Sequence, residues 1–229
     1  MSAAAAAQAP PTIRREPRWQ RRKDARPSEV LAAALAAFTE KGFAGARLDD
    51  IARRAGVSKG TLYLYFPGKE ELFKAVVREG LVSPLAAVRE ALDSFAGSSA
   101  ELLRRFILGW WDLVGNTRLA GLPKLMIAEA ANFPDIARFY LDEVLLPAHA
   151  ITARLVARGV DSGEFRPVDT DKTAILITAP FISISAWRHG FDHAMQQEMP
   201  ALTDGRALLE AHIEMLIRGL AAEPMEKRA

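Results

Sequence analysis

The stretch that decides the fold is LDDIARRAGVSKGTLYLYFPGKEELF, residues 48–73. Its first eight residues carry apolar side chains at helical spacing, and Gly56 is suited to end that helix in a left-handed conformation. Ser58 can cap a second helix over residues 59–66, which a Pro-Gly pair then ends. Two short helices joined by a tight turn predict a helix-turn-helix, a unit whose second helix lies in the major groove of DNA.

The rest of the chain also has helical periodicity. An apolar stripe predicts a helix over residues 27–42, and a further helix begins at Lys69. No stretch shows sustained strand alternation, so the sequence predicts an all-α fold. The remaining predicted helices cover residues 100–114, 122–131, 134–158, 171–189 and 204–220.

Composition and charge narrow the class of protein. Half of the 229 residues are hydrophobic and a quarter are charged, which excludes wholesale disorder. Without cysteine there is no disulfide framework and no thiolate nucleophile. The net charge is +5 over residues 1–26, +1 over residues 27–80 and −4 over the remainder, so we expect the N-terminal end to meet a polyanion. The sequence predicts no membrane span and no signal peptide, and therefore a cytoplasmic protein.

The second helix of the unit carries residues that suit DNA. Lysine can bind phosphate or guanine, glycine lets the backbone approach closely, and threonine and tyrosine offer hydroxyl groups. The helix N-terminus also favours phosphate. The candidate DNA contacts are Ser58, Lys59, Gly60, Thr61, Tyr63 and Tyr65, together with Lys69 at the start of the next helix.

The run AGVSKGTLYLYF followed by Lys69 resembles the DNA-binding domain of TetR-family (tetracycline-repressor-like) regulators. The resemblance covers residues 27–81. It implies a homodimer that binds palindromic double-stranded operator DNA and usually represses transcription until a small molecule binds. Arg47 stands where the family often has a threonine that caps the helix and contacts phosphate. Arginine cannot cap in that way, but it can reach phosphate, so Arg47 joins the candidate contacts.

A second run, EAANFPDIARFY at residues 129–140, resembles the effector domain of AefR-type members of the same family. The predicted organisation is therefore a flexible basic tail (1–26), a DNA-binding domain (27–80), an effector-binding and dimerisation domain (81–221) and a C-terminal tail (222–229). The basic tail is equally well read as a solvated segment or as an added DNA contact.

Aromatic residues in the C-terminal part supply candidates for a ligand cavity. Most aromatic side chains of such a chain belong to the core, but ligand pockets are mainly apolar with a few polar groups. Residues on facing segments with polar neighbours are favoured. The predicted effector-binding residues are Trp110, Met126, Phe133, Tyr140 and Trp187.

The last two helices are predicted to form a homodimer interface. Residues 174–187 are apolar almost all round, and Ala179, Ser183 and Ala186 would let a partner helix approach closely. The last helix adds a second apolar stripe. Its members are Leu208, Leu209, His212, Met215, Leu216 and Leu220.

Two other classes of function compete with a ligand-responsive repressor. GVSKG at residues 56–60 matches the nucleophile elbow of hydrolases, but no strand precedes it, so the cap role of Ser58 is preferred. His189 and His193 have the spacing of a metal pair without a third ligand, so neither a metal nor a cofactor is predicted. A DNA-binding activator or architectural protein without an effector stays as the alternative.

Overall fold

The computed structural model describes residues 27–199 and 203–222. The predicted basic tail at 1–26 and residues 223–229 lie outside the described residues, as do the side chains of His189 and His193. The described residues contain helices and one isolated bridge between Phe165 and Ala221, without a strand. The all-α prediction is confirmed.

The helices follow one another with short connections. The described helices are α1 Pro27–Gly45, α2 Leu48–Ala55, α3 Lys59–Tyr65, α4 Lys69–Val77, α5 Ser83–Asp93, α6 Ser99–Trp110, α7 Gly121–Glu129, α8 Pro134–Tyr140, α9 Leu146–Asp161, α10 Thr170–Glu198 and α11 Gly205–Leu220.

The helix-turn-helix forms from local signals in the sequence. Helix α2 has the predicted bounds, and Gly56 ends it with a φ of 71°, where its amide donates back to carbonyls of the last turn. The Ser58 hydroxyl oxygen accepts a hydrogen bond from the Thr61 amide at 3.0 Å, which satisfies one of the free N–H groups at the start of α3. Ser58 therefore caps α3, as the sequence predicts.

Three π-helical turns interrupt the larger helical runs. At Trp111–Gly115 the Asn116 amide bonds the Trp111 carbonyl five residues back, at 3.0 Å. The other two, Arg78–Val82 and Leu141–Leu145, join α4 to α5 and α8 to α9 without a break. The helix that begins at Lys69 therefore continues to Asp93, across the predicted domain boundary.

The helices depart from the predictions in three places. Helix α5 is absent from the predicted segments, although Leu81, Leu85, Val88 and Leu92 continue the helical spacing of α4. Helix α10 extends to Glu198, beyond its predicted end at residue 189. In α11, Leu209 and Leu220 are buried in the core of their own chain, which corrects their predicted place on the interface stripe.

The first half of the chain is held to the second by aromatic packing. Phe43 stacks on Phe38 (5.8 Å between ring centroids) and meets Phe73 of α4 edge-on at 5.5 Å. Its ring also meets Phe133, which directly precedes α8, at 4.8 Å. Gly42 turns the chain just before Phe43, with φ 74° and ψ 171°, a conformation that is essentially restricted to glycine.

Helix α7 packs along α1 and leaves no room at two glycines. A Cβ atom at Gly121 would lie 2.6 Å from Cγ2 of Thr39, and one at Gly42 would lie 2.7 Å from Oε1 of Glu129. The same Glu129 oxygen accepts a hydrogen bond from the Ala44 amide at 3.3 Å. The end of α1 is thereby fixed to the end of α7.

Gly42→Ala should destabilise the protein by about 1–3 kcal/mol, because alanine strains the backbone at positive φ and its methyl group meets Glu129. Thermal unfolding of the variant measures this loss. Gly45→Ala is the matched control: its Cβ would meet only the Lys41 Cβ, at an ordinary 3.6 Å, and its melting temperature should not fall. Equal melting of both variants would contradict the role given to Gly42.

Candidate DNA interface and ligand cavity

One side of α3 is open to solvent and the other is buried. Leu62 is fully buried in the core, whereas Tyr63 and Tyr65 are exposed. A side chain added at Gly60 would meet only the Ser58 hydroxyl, at 3.9 Å, so nothing in the chain itself crowds this glycine. The candidate contacts predicted on α3 therefore share one accessible surface.

Leu64 is the residue of this surface that sequence reasoning missed. Its side chain is 80% exposed, more than any other large hydrophobic side chain among the described residues. A helix turns about 100° per residue, so Leu64 lies roughly 200° from the buried Leu62. This spacing could have identified Leu64 from the sequence, since it places a leucine on the face that is predicted to meet DNA.

Lys59 is held on this surface by two neighbours. Its ammonium lies 2.8 Å from an Asp49 carboxylate oxygen and 5.9 Å from the centre of the Tyr63 ring. The hydrogen bond to Asp49 raises the pKa of Lys59, so the cation is retained at neutral pH. Since both partners are exposed, a phosphate group can compete with Asp49 for this cation.

The other two predicted cations occupy different settings. The Lys69 ammonium donates to the Ala44 carbonyl at 3.0 Å and lies 4.8 Å from the centre of the Phe43 ring. It therefore also stabilises the end of α1. Arg47 precedes α2 in an extended conformation and makes no cap hydrogen bond through its side chain, as its chemistry predicts.

A cavity of about 470 Å³ lies in the second half of the chain. Helices α5 to α10 contribute its largely apolar wall. Each π turn supplies at least one lining residue, because the extra residue in such a turn displaces the side chains that follow. These residues are Leu81, Val114, Val144 and Leu145.

Three of the five predicted effector-binding residues line this cavity: Trp110, Met126 and Tyr140. The other two do not. Phe133 packs against Phe43 instead, and the Trp187 side chain is 45% exposed on α10. Neither position could be separated from the lining by sequence alone, because the packing partner of an aromatic side chain depends on segments that are distant in the sequence.

The cavity has few polar groups. Tyr140 is buried, and desolvation raises the pKa of its hydroxyl well above the usual value. Thr178 donates its hydroxyl proton to the Ala174 carbonyl at 3.1 Å, and His149 Nε2 lies 3.0 Å from an Asp171 carboxylate oxygen. The chemistry that this wall supports is the enclosure of an apolar molecule.

In the part of the chain that the structure describes, no three ligand-type side chains converge on a metal position. No helix within residues 27–199 and 203–222 has the length and apolarity that a membrane crossing needs.

A helix-turn-helix unit joined to a helical domain with an apolar cavity defines a DNA-binding transcriptional regulator. The chain belongs to the tetR family of bacterial regulatory proteins, which residues 30–76 match. Residues 101–217, more than half of the chain, match the C-terminal domain of AefR-like transcriptional repressors. Both resemblances seen in the sequence are confirmed, and the chain is a regulator rather than an enzyme.

Individual transcriptional regulators are similar to this chain in sequence or in fold. The chain is 29% identical over 188 residues to the transcriptional regulator RutR of Escherichia coli K12, covering 76% of this chain and 77% of RutR. It is 35% identical over 92 residues to the transcriptional activator FasR of Mycolicibacterium smegmatis, covering 40% of this chain and 42% of FasR. The structure of FadR from Bacillus subtilis, in complex with stearoyl-CoA, shares the fold with a TM-score of 0.69 at 22% identity, covering 85% of this chain and all of FadR.

The pairing of Lys59 with Asp49 leads to a test of the interface. Lys59→Met should weaken DNA binding and make the log–log salt dependence shallower by about 0.9, the effect of one lost phosphate contact. Asp49→Asn should instead raise the affinity, because it frees Lys59 and removes a negative charge. Titration of labelled DNA at several salt concentrations measures both.

Lys172→Met is the matched control, since Lys172 also pairs with an exposed aspartate, Asp169 at 2.9 Å, but on α10. Its affinity and salt slope should equal those of the parent chain. If Lys59→Met behaved like Lys172→Met, Lys59 would not contact DNA.

Proposed function

We propose that this chain is a ligand-responsive repressor, which binds a palindromic operator as a homodimer and is released by a small apolar or amphipathic effector. The observation that carries the proposal is the continuous helix from Lys69 to Asp93. This helix begins at Lys69, just after α3, and further along it Leu81 and Leu85 line the cavity. A molecule in the cavity would therefore touch the helix that directly follows α3 and packs against α1 of the DNA-binding unit.

The DNA contacts are proposed on the accessible face of α3 and beside it. Exposure of this face, the Lys59 cation and the open space at Gly60 support the assignment. The proposed contacts are Arg47, Ser58, Lys59, Gly60, Thr61, Tyr63, Tyr65 and Lys69, to which the structure adds Leu64.

The effector is proposed to bind in the 470 Å³ cavity, in contact with Trp110, Met126 and Tyr140. An apolar wall of this size suits the hydrophobic part of a small molecule. The stearoyl-CoA complex of Bacillus subtilis FadR shows that this fold accommodates a ligand with a long apolar chain. Phe133 and Trp187 are not proposed as effector contacts, because neither lines the cavity.

A second connection runs through α7. This helix lines the cavity with Met126 and contacts α1 at its end, where Glu129 bonds the Ala44 amide and Phe133 follows to meet Phe43. An effector releases DNA only if it binds better to a conformation in which the two α3 helices are wrongly spaced. Half-sites in the major groove lie about 34 Å apart, so a small rotation of each unit suffices.

The homodimer is proposed to form through α10 and α11. On α10 the exposed side chains Leu176 (65% exposed), Ala179, Ser183 and Trp187 recur at three- and four-residue intervals along one face. On α11, Met215 is 72% exposed. A helix face that is apolar and small-sided but exposed in the single chain supports packing against a second copy.

An activator stays as the second candidate, since FasR, a relative, is an activator. The DNA-binding unit and the cavity are compatible with a repressor and with an activator. Transcription in vitro from a promoter that carries the selected operator separates them: a repressor lowers the amount of transcript, and an activator raises it.

Selection of bound sequences from randomised double-stranded DNA by the full chain tests the proposed function. We expect a palindromic site, and Tyr63→Ala should abolish binding to it, because the side chain is exposed on α3. The melting temperature should stay within a few degrees, since Tyr63 is not part of the core. Leu113→Ala changes an apolar side chain of similar exposure (40%, against 42% for Tyr63) in the second half of the chain; it is the control and should bind normally.

Ser183→Arg should give a monomer or an aggregated chain, because burying an unpaired charge in an interface costs several kcal/mol. Light scattering measures the assembly. Ser94→Arg adds the same charge at an exposed position on another helix end and should stay dimeric. A soluble, dimeric Ser183→Arg protein that still binds the operator would refute the interface on α10.

A further inference from the structure

The cavity contains a buried hydroxyl group without a partner. Tyr140 is 5% exposed and lines the cavity, and its hydroxyl makes no hydrogen bond with any of the described residues. Burial raises the pKa of this phenol, so it keeps its proton and remains a donor. A donor with no protein acceptor in a largely apolar wall is a natural anchor for a bound molecule.

The neighbouring polar groups do not need such a ligand. The hydroxyl proton of Thr178 is already donated to the Ala174 carbonyl, and His149 is already paired with Asp171. Trp110, which also lines the cavity, has an indole N–H that can only donate. The N–H and O–H groups of the wall whose protons are still free are therefore those of Trp110 and Tyr140, and they favour a ligand that accepts hydrogen bonds.

Charge is also missing from the wall. Among the described residues, the lining includes no lysine, arginine, aspartate or glutamate. A charged group placed here would lose its hydration without gaining a counter-ion, which is strongly unfavourable. Apart from His149, which is already paired with Asp171, the wall thus offers no charged partner to an ion, and this favours a neutral ligand.

We propose that the occupant of this cavity is an uncharged, mostly apolar molecule with one carbonyl-type acceptor, such as a ketone or an ester, which accepts a hydrogen bond from Tyr140. The inference rests on the proposed function, in which the effector binds in the same cavity. It goes further by naming the chemical class and the residue that selects it.

A pair of probes of equal shape tests the acceptor. 2-Acetylnaphthalene and 2-ethylnaphthalene differ only in a carbonyl in place of a methylene group, and each is titrated against bound fluorescent N-phenyl-1-naphthylamine. In the parent chain the ketone should bind about three- to tenfold more tightly, the effect of one buried hydrogen bond. In Tyr140→Phe, which removes one oxygen and keeps the ring, the ratio should fall to about one.

Thr178→Val is the matched control. It removes a hydroxyl group from the same wall, but the proton of that hydroxyl is already donated to the Ala174 carbonyl. Its ratio should stay at the parent value. An unchanged ratio in Tyr140→Phe, or no preference for the ketone in the parent chain, would overturn the proposal.

The charge requirement is tested with 1-anilinonaphthalene-8-sulfonate, which has the ring system of N-phenyl-1-naphthylamine and an added sulfonate. The neutral probe should bind at least tenfold more tightly, and equal binding would overturn the proposal. If neither N-phenyl-1-naphthylamine nor 1-anilinonaphthalene-8-sulfonate binds, both the proposed effector site and the inference about its ligand are refuted. If both ketone and hydrocarbon bind equally and still release operator DNA, the proposed function stands and only the acceptor inference is lost.

Discussion

The packing of Phe43 is the contact on which the arrangement of the two halves depends. This one ring touches Phe38 of its own helix, Phe73 of α4 and Phe133 at the start of the second half's α8. Aromatic pairs of this kind contribute about 0.5–1.5 kcal/mol each beyond the area that they bury. The ring reaches this position because Gly42 adopts a conformation that other residues resist, and Lys69 covers its outer face.

This arrangement connects the DNA-binding unit to the second half of the chain in two places. One is the continuous helix from Lys69, and the other is the contact of α7 with the end of α1 through Glu129. Both elements also contribute to the cavity wall. Packed interiors respond to a change in volume by shifting whole elements rather than by absorbing it locally, and the proposed release by an effector rests on such a shift.

The exposed face of α3 carries a lysine that is paired with an aspartate, and beside it an exposed leucine. Lys59 is paired with Asp49, and residues 27–80 carry a net charge of only +1. Surface ion pairs contribute little to stability, so the exchange of Asp49 for a phosphate is readily made. With Leu64 and two tyrosines beside it, this face is suited to contacts with base methyl groups and sugar edges as well as phosphates.

The sequence by itself determined the features that depend on neighbouring residues. The bounds of α2, the left-handed Gly56 and the Ser58 cap are local, because each satisfies backbone groups within a few residues, and they were predicted correctly. The tertiary structure decided what depends on distant segments. Tyr140 lines the cavity while Phe133, seven residues earlier, packs on Phe43. The two rings differ because Phe133 precedes α8 in a non-helical conformation (φ −130°, ψ 74°) and so does not share the helix face that this spacing would give it. Likewise, Leu209 lies in the core and Met215 in solvent because α11 packs against the rest of its own chain, a choice that an apolar stripe alone does not reveal.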